Sequence, residues 1–143
     1  MMSVVSITRL RVRSWSLLPV FFFHAFLSVW QARKAAGLLA ATLLKDKWRT
    51  YWTCTIWTDE AAMKAFMVSG SHRKAMPELL ELCDEASVAR WTQEGADLPP
   101  WTEVHRRMQQ DGRPSKVNHP SAAHSRYEIP SPRVLRYLDI RLK

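Results

Sequence analysis

WRTYWTCTIWTDEAAMKAFMVSGSHRKAMPELLELC, residues 48 to 83, decides how the rest of the chain is read. Arg49 to Trp57 alternates with a period of two, which is a strand pattern. Tyr51, Thr53, Thr55 and Trp57 share one face, and Trp52, Cys54 and Ile56 share the other. Thr58 or Asp59 offers a side-chain oxygen to the first free donors of a helix, and Ala61 to Val68 continues it. Ser69-Gly70-Ser71 reads as a bend, after which helix resumes over His72 to Cys83. Pro77 would cost about 3 kcal/mol inside a helix, so it is expected in the first turn of a new one. If the helix runs through the bend, Ala65, Ser69, His72, Met76, Leu79 and Cys83 recur at 3,4 spacing and face the sheet.

Working outward, Val4 to Val12 is β-branched and alternating. It puts Val5, Ile7, Arg9 and Arg11 on one face and Thr8 among the residues on the other. Ser14 to Pro19 is expected as a connection, because the residue before a proline is pushed from helical geometry. Val20 to Ala36 is helical, with Phe23, Leu27 and Trp30 or Gln31 on a shared face and Gly37 placed to end it. Leu38 to Leu44 is a short strand, Lys45-Asp46-Lys47 a hairpin turn, and Ala86 to Thr92 a fourth strand. The order β-α-β-β-α-β predicts an α+β, ferredoxin-like domain over residues 1–92, with both helices on one face of an antiparallel sheet. Residues 93–143 form a C-terminal extension: a short amphipathic helix from Trp101 to Gln110, anchored by Trp101, Val104 and Met108, then an irregular tail. A sheet covered on one side should be polar on the other. Here strands one and three are apolar or aromatic on both faces, so a homodimer packed through the sheet face is expected.

The 143 residues carry a formal charge of +8, unevenly distributed. Residues 1–50 hold eight basic residues and one acidic, 51–100 four and eight, 101–143 nine and four. The cations come singly or in pairs, without a recognition helix or an aromatic RNA platform, so no nucleic-acid partner is expected. Leu17 to Trp30 is apolar but shorter than the roughly 20 residues that cross a bilayer. No stable membrane insertion is therefore expected. Cys54 and Cys83 lack metal-site or disulfide spacing and read as buried thiols of a cytoplasmic protein.

His72 is the leading candidate for chemistry, as a proton donor or acceptor or as an iron ligand. Met76, one turn later, would line the same space. Arg9 could hold a carboxylate or enolate oxygen; Thr8, on the opposite face, is the matching polar residue if the pocket lies on the helix side. Trp57 could stack on a flat ligand, and His24 is a lesser candidate inside an apolar helix. No Walker loop, dinucleotide fingerprint, HExxH, CxxC or nucleophile elbow is present.

The strand ending in T-x-W, the D-E-A that follows, the helix to Phe66 and the S-G-x-H-x-x-x-M-P run resemble the antibiotic-biosynthesis-monooxygenase and haem-degrading superfamily. More narrowly, S-W-x-L-L-P at 14–19, Q-A-R-K-A-x-G at 31–37, C-D-E-A-S-V at 83–88 and G-R-P-S-K-V at 112–117 resemble the DUF3291 proteins grouped near spheroidene monooxygenase. The resemblance implies a dimeric α/β barrel with a cavity between sheet and helices in each subunit. It implies a monooxygenase acting on a hydrophobic or aromatic small molecule; the alternative is a non-catalytic small-molecule-binding or structural homodimer. In haem-degrading members, the strand-one Asn position falls on Thr8, the helix Trp position on Phe66 and the axial-His position near Met76, with His72 one turn earlier. These departures leave two expectations for the cofactor, none or haem, with His72 the only metal ligand and only if haem is bound.

Overall fold

A computed structural model describes residues 1–143. The elements are β1 (Met2–Val12), α1 (Leu18–Lys34), β2 (Leu38–Lys45), β3 (Thr50–Trp57), α2 (Glu60–Met67), α3 (Gly70–Leu82), β4 (Cys83–Glu94), α4 (Trp101–Asp111), β5 (Arg113–Pro114), α5 (Ala122–Ser125) and β6 (Asp139–Arg141). They form a mixed α/β domain on one sheet of order β5-β4-β1-β3-β2-β6, every pairing antiparallel. The four inner strands and two helical crossovers are those read from the sequence. The sheet is open. Its outermost strands, β5 and β6, lie at opposite edges and do not pair, so the expected barrel is not what this chain forms.

The second face of the sheet also differs from expectation. Val5, Ile7, Trp52, Cys54, Ile56 and Ala89 are not left for a second copy; Trp101, Val104 and Met108 of α4 and Ile129 of the tail bury them in one cluster. The extension thereby supplies the apolar cover that a homodimer through the sheet face was expected to supply. It also covers part of each edge of the sheet, β5 alongside Ser87 and Val88 of β4 and β6 alongside Thr42 to Leu44 of β2, which shortens the unpaired rows of backbone donors and acceptors that invite aggregation. Asp139 fastens this arrangement by accepting bonds from Thr42 Oγ1 (2.8 Å) and Trp101 Nε1 (2.9 Å).

Several local readings change for identifiable reasons. Pro19 lies within the first turn of α1, where its missing N–H costs nothing, so the helix starts before it rather than after it. A 3-10 turn at Trp15–Leu17 leads into α1, making a 20-residue apolar helical segment from Trp15 to Lys34 rather than the shorter run inferred. By length and composition that segment could cross a membrane, but here it lies across the sheet with Phe21 and Ala32 buried, as a packed helix of the domain. Phe23 and Trp30, read as sharing a face, point to solvent. α2 and α3 are separate helices, so Ala65 and Cys83 leave the stripe that was to include His72, and Cys83 opens β4 instead. Pro77 sits inside α3 and not in its first turn. The β2–β3 turn is held by Asp46, which accepts from Lys47 N, Trp52 Nε1 and Arg133 N.

Candidate functional site

Between the sheet and the helical layer lies a cavity of about 190 Å3. Its floor is the helix-side row of the two central strands, including Thr8, Thr53, Thr55 and Trp57, and its roof is built by α1, α2 and α3. Ser6, Thr8, Leu10, Thr53 and Thr55 are only half-buried although helices lie over them, because they border this space rather than packed side chains. Small Thr and Ser side chains on the floor and Ala25, Ser28 and Ala32 on α1 leave the volume unfilled.

His24, Phe66, His72 and Met76 line the same cavity, so six of the seven residues singled out from the sequence meet there: Thr8, His24, Trp57, Phe66, His72 and Met76. The seventh, Arg9, does not. Strand alternation sends it to the opposite face, where its Nη1 donates to Glu85 Oε1 at 2.8 Å and both residues are 3% exposed. Arg11 Nη1 and Ser121 Oγ complete the ring by donating to Glu85 Oε2, each at 2.8 Å. The guanidinium of Arg9 lies 5.7 Å from the centroid of the Trp52 ring. Arg9 is therefore a structural cation that neutralises the carboxylate through which β4 holds Ser121 of the tail, and it cannot reach a ligand beside His72. A more open cleft of about 510 Å3 borders this network, but its arginines and carboxylates are largely paired with one another.

Trp57, Phe66 and His72 form a ladder, with ring centroids 5.3 Å apart for the first pair and 4.7 Å for the second. Trp57 is locked from below by donating its Nε1–H to Thr55 Oγ1 at 2.9 Å, and it is itself fully buried. His72 is set by its neighbours. Its Nδ1 lies 3.1 Å from the Met67 carbonyl, which can only accept, so the proton resides on Nδ1 and Nε2 keeps its lone pair. Burial lowers the His72 pKa from 6.5; the Met67 bond opposes this and the nearby Arg90 charge adds to it. At neutral pH the ring is thus a neutral base with no protein group on Nε2.

Gln31 of α1 positions this histidine. Its Oε1 accepts the His72 backbone N–H at 2.7 Å, while its Nε2 donates to Ser69 O at 2.9 Å and Phe66 O at 3.3 Å. Gly70 makes the fit possible. It has φ +56°, where L side chains are strained, and a Cβ there would sit 3.1 Å from the Gln31 amide.

Arg90 of β4 is the cavity residue the sequence reading passed over. It shares the helix-side face with Ala86 and Val88 and lines the cavity with them. Burial lowers its pKa, the Arg113 charge adds to that effect, and Glu60 opposes it. Its Nη2 meets only the weakly accepting sulfur of Met67, at 3.1 Å, and its Nε is buried without a partner. The signal was a charge on an otherwise apolar strand face, the same signal that selected Arg9. Cys54 and Cys83 are both buried free thiols pushed up to about 12, chiefly by burial, and neither lines the cavity.

No family model matches the sequence, and no curated protein matches it. Solved structures with the same fold do. SnoaB, a cofactor-independent oxygenase from Streptomyces nogalater, superposes with a TM-score of 0.53 at 17% identity, covering 68% of this chain and 97% of that one. A protein described as an antibiotic biosynthesis monooxygenase gives 0.56 at 16% identity, covering 70% of this chain and 100% of that one. A conserved protein from Methanosarcina mazei gives 0.58 at 15%, covering 64% and 92%. At these identities the likeness is one of fold.

Proposed function

We propose that the protein is an oxygenase that takes an electron-rich aromatic molecule into the cavity beneath α1 and α3. The observation that carries this is His72: a neutral imidazole whose tautomer is fixed by Met67, whose Nε2 is unbonded, and which lines a mostly apolar cavity. The shared fold with proteins named as oxygenases supports the reaction class. The run from Ser69 to Pro77 that resembles monooxygenases in sequence supplies His72, Ala75 and Met76 to the cavity wall.

Size narrows the ligand. An apolar cavity of about 150 Å3 accepts a benzene, and drug-sized ligands need roughly 300 Å3 or more. About 190 Å3 therefore suits one substituted ring and does not fit a haem, even though His72 is oriented to offer Nε2 to a metal. Trp57 and Phe66 supply the flat wall. His72 Nε2 takes the proton from a phenolic or enolic hydroxyl, and the Arg90 guanidinium stabilises the oxyanion that forms, the role first given to Arg9. The electron-rich carbon of that anion, which must carry a hydrogen, adds dioxygen; the proton on His72 returns to the peroxide, and the hydroperoxide loses water together with that hydrogen to leave a carbonyl at the carbon.

The test is oxygen uptake with a panel of one-ring hydroquinones and cyclic enols, comparing the wild type with His72→Gln and Arg90→Met. Uptake should fall by about 10²-fold or more when the base is lost, a normal contribution for general-base catalysis. A protein that binds these rings, shown by quenching of its tryptophan fluorescence, yet consumes no oxygen with any of them is instead a non-catalytic small-molecule-binding protein. Ring binding that survives when bulky side chains replace Thr8 and Thr53 would remove the cavity from the account altogether.

A further inference from the structure

We infer that the outward face of α1 docks the protein peripherally on an anionic lipid bilayer. The helix turns its small residues inward, with Ala25, Ser28 and Ala32 lining the cavity, and its largest ones outward. Phe22, Phe23, Phe26 and Trp30 are 45%, 61%, 67% and 53% exposed. At about 100° per residue these four fall within a stripe of roughly 100°. A run of exposed aromatics on one helix is a surface built to be covered.

Charge identifies what covers it. α1 contains no acidic residue, and none occurs anywhere before Asp46. Arg33 and Lys34 close the helix, with Lys34 Nζ 4.5 Å from the centroid of the Trp30 ring. At the other end the exposed Trp15 lies under the Arg49 guanidinium, 5.2 Å away, beside a turn that presents Lys47 and the exposed Trp48. Arg33, Lys34, Lys47 and Arg49 make no ion pair with any carboxylate of the chain. An apolar aromatic stripe with unpaired cations at both ends matches a lipid interface: rings enter the headgroup and acyl boundary while cations meet lipid phosphates. A second copy fits poorly. Paired along this stripe in either direction, two helices would bring cationic ends against cationic ends. Because α1 is held to the sheet by Phe21 and Ala32, it would lie in the plane of the interface and not cross it.

The docking stands apart from any reaction in the cavity, although exposed Arg33 and Met76 also line that cavity, so its mouth opens along the seam of α1 and α3 beside the stripe. The full-length protein should co-sediment with phosphatidylcholine vesicles containing about 30% phosphatidylserine and bind pure phosphatidylcholine several-fold more weakly. Raising salt to about 0.5 M should weaken the anionic binding. Phe23→Ser with Phe26→Ser should reduce partitioning roughly tenfold or more, since two phenyl rings no longer leave water. Arg33→Glu with Lys34→Glu, on exposed helix-end positions, should abolish the preference for anionic vesicles even if the serine variant folds poorly. Unchanged partitioning in the charge-reversed variant would overturn the proposal. So would wild-type protein that stays in the supernatant, or a wild-type dimer that ignores vesicles and dissociates on the Phe26→Ser change.

Discussion

Replacing Glu85 by Gln should destabilise the fold by about 3 kcal/mol, although the shape of the side chain is kept. Three donors converge on this carboxylate: Arg9 and Arg11 through Nη1 and Ser121 through Oγ. Arg11 is partly exposed, so water can solvate it when the negative charge is lost. Arg9 has no such outlet at 3% exposure. Breaking a buried pair from one side costs about 3–5 kcal/mol because the other charge is stranded. The lower end applies because the Gln oxygen still accepts one bond. For a chain of this size that corresponds to a fall in Tm of about 6–12 °C. Urea unfolding at neutral pH, with the slope checked for constancy, measures it. A second signature comes from acid. Burial would raise the Glu85 pKa, but the bonds from Arg9, Arg11 and Ser121 outweigh it and hold it below 4.5. The stability it contributes is present above 4.5 and lost as pH falls through the lowered folded value, and the Gln variant should lack that loss. Adding Arg9→Met should recover part of the deficit, since the stranded cation is gone. A cost below about 1 kcal/mol, or a double variant weaker than Glu85→Gln alone, would refute the reasoning.

Three other outcomes follow from the geometry. His72, with its pKa lowered from 6.5, should titrate below that value in an NMR pH series; stability is unaffected above 6.5 and declines as pH falls from 6.5 toward the lowered value, because the unfolded chain takes the proton first. His72→Gln should flatten that segment of the stability profile. Gly70→Ala should cost about 1–2 kcal/mol in thermal or urea unfolding, from a positive φ and contact with the Gln31 amide, and should shift the His72 ring signals. Met108→Ala, at a fully buried position of α4, should cost about 2–5 kcal/mol and raise dye binding to the loosened sheet face; a cost near zero would mean that α4 does not seal it.

The sequence revealed what repeats locally and missed what the tail does at long range. Strand alternation set Thr8 apart from Val5, Ile7 and Arg9, and Trp57 apart from Trp52, Cys54 and Ile56; the structure keeps both separations and puts Thr8 and Trp57 on the helix side. The same alternation separates Arg9 from His72, because neighbouring residues of β1 face opposite sides of the sheet. Arg90 carried an equal signal in an equally readable strand. The open sheet was not legible in this way. The apolar stripe of Trp101, Val104 and Met108 was legible, but whether it or a neighbouring copy covers Trp52, Cys54 and Ile56 depends on where residues 93–129 fold back, and no local pattern states which surface a stripe meets. Pro77 misled because propensity is weighed against packing: an exposed proline in a helix fixed by Ala75 and Leu82 on its buried side loses too little to break it.

One consequence of the tail's position reaches the cavity itself. With α4 and Ile129 filling one side of the sheet, the central strands are clamped between a close-packed layer and a layer with a void. Close-packed interiors do not deform gradually. Any change of shape on ligand entry must therefore come from the helical side, where Gln31 links α1 to the α2–α3 junction through Phe66, Ser69 and His72. The same amide that orients the histidine joins the two helices that would have to part. A ligand larger than one ring would strain these bonds and misplace the base, so the linkage that fixes His72 also limits what it can act upon.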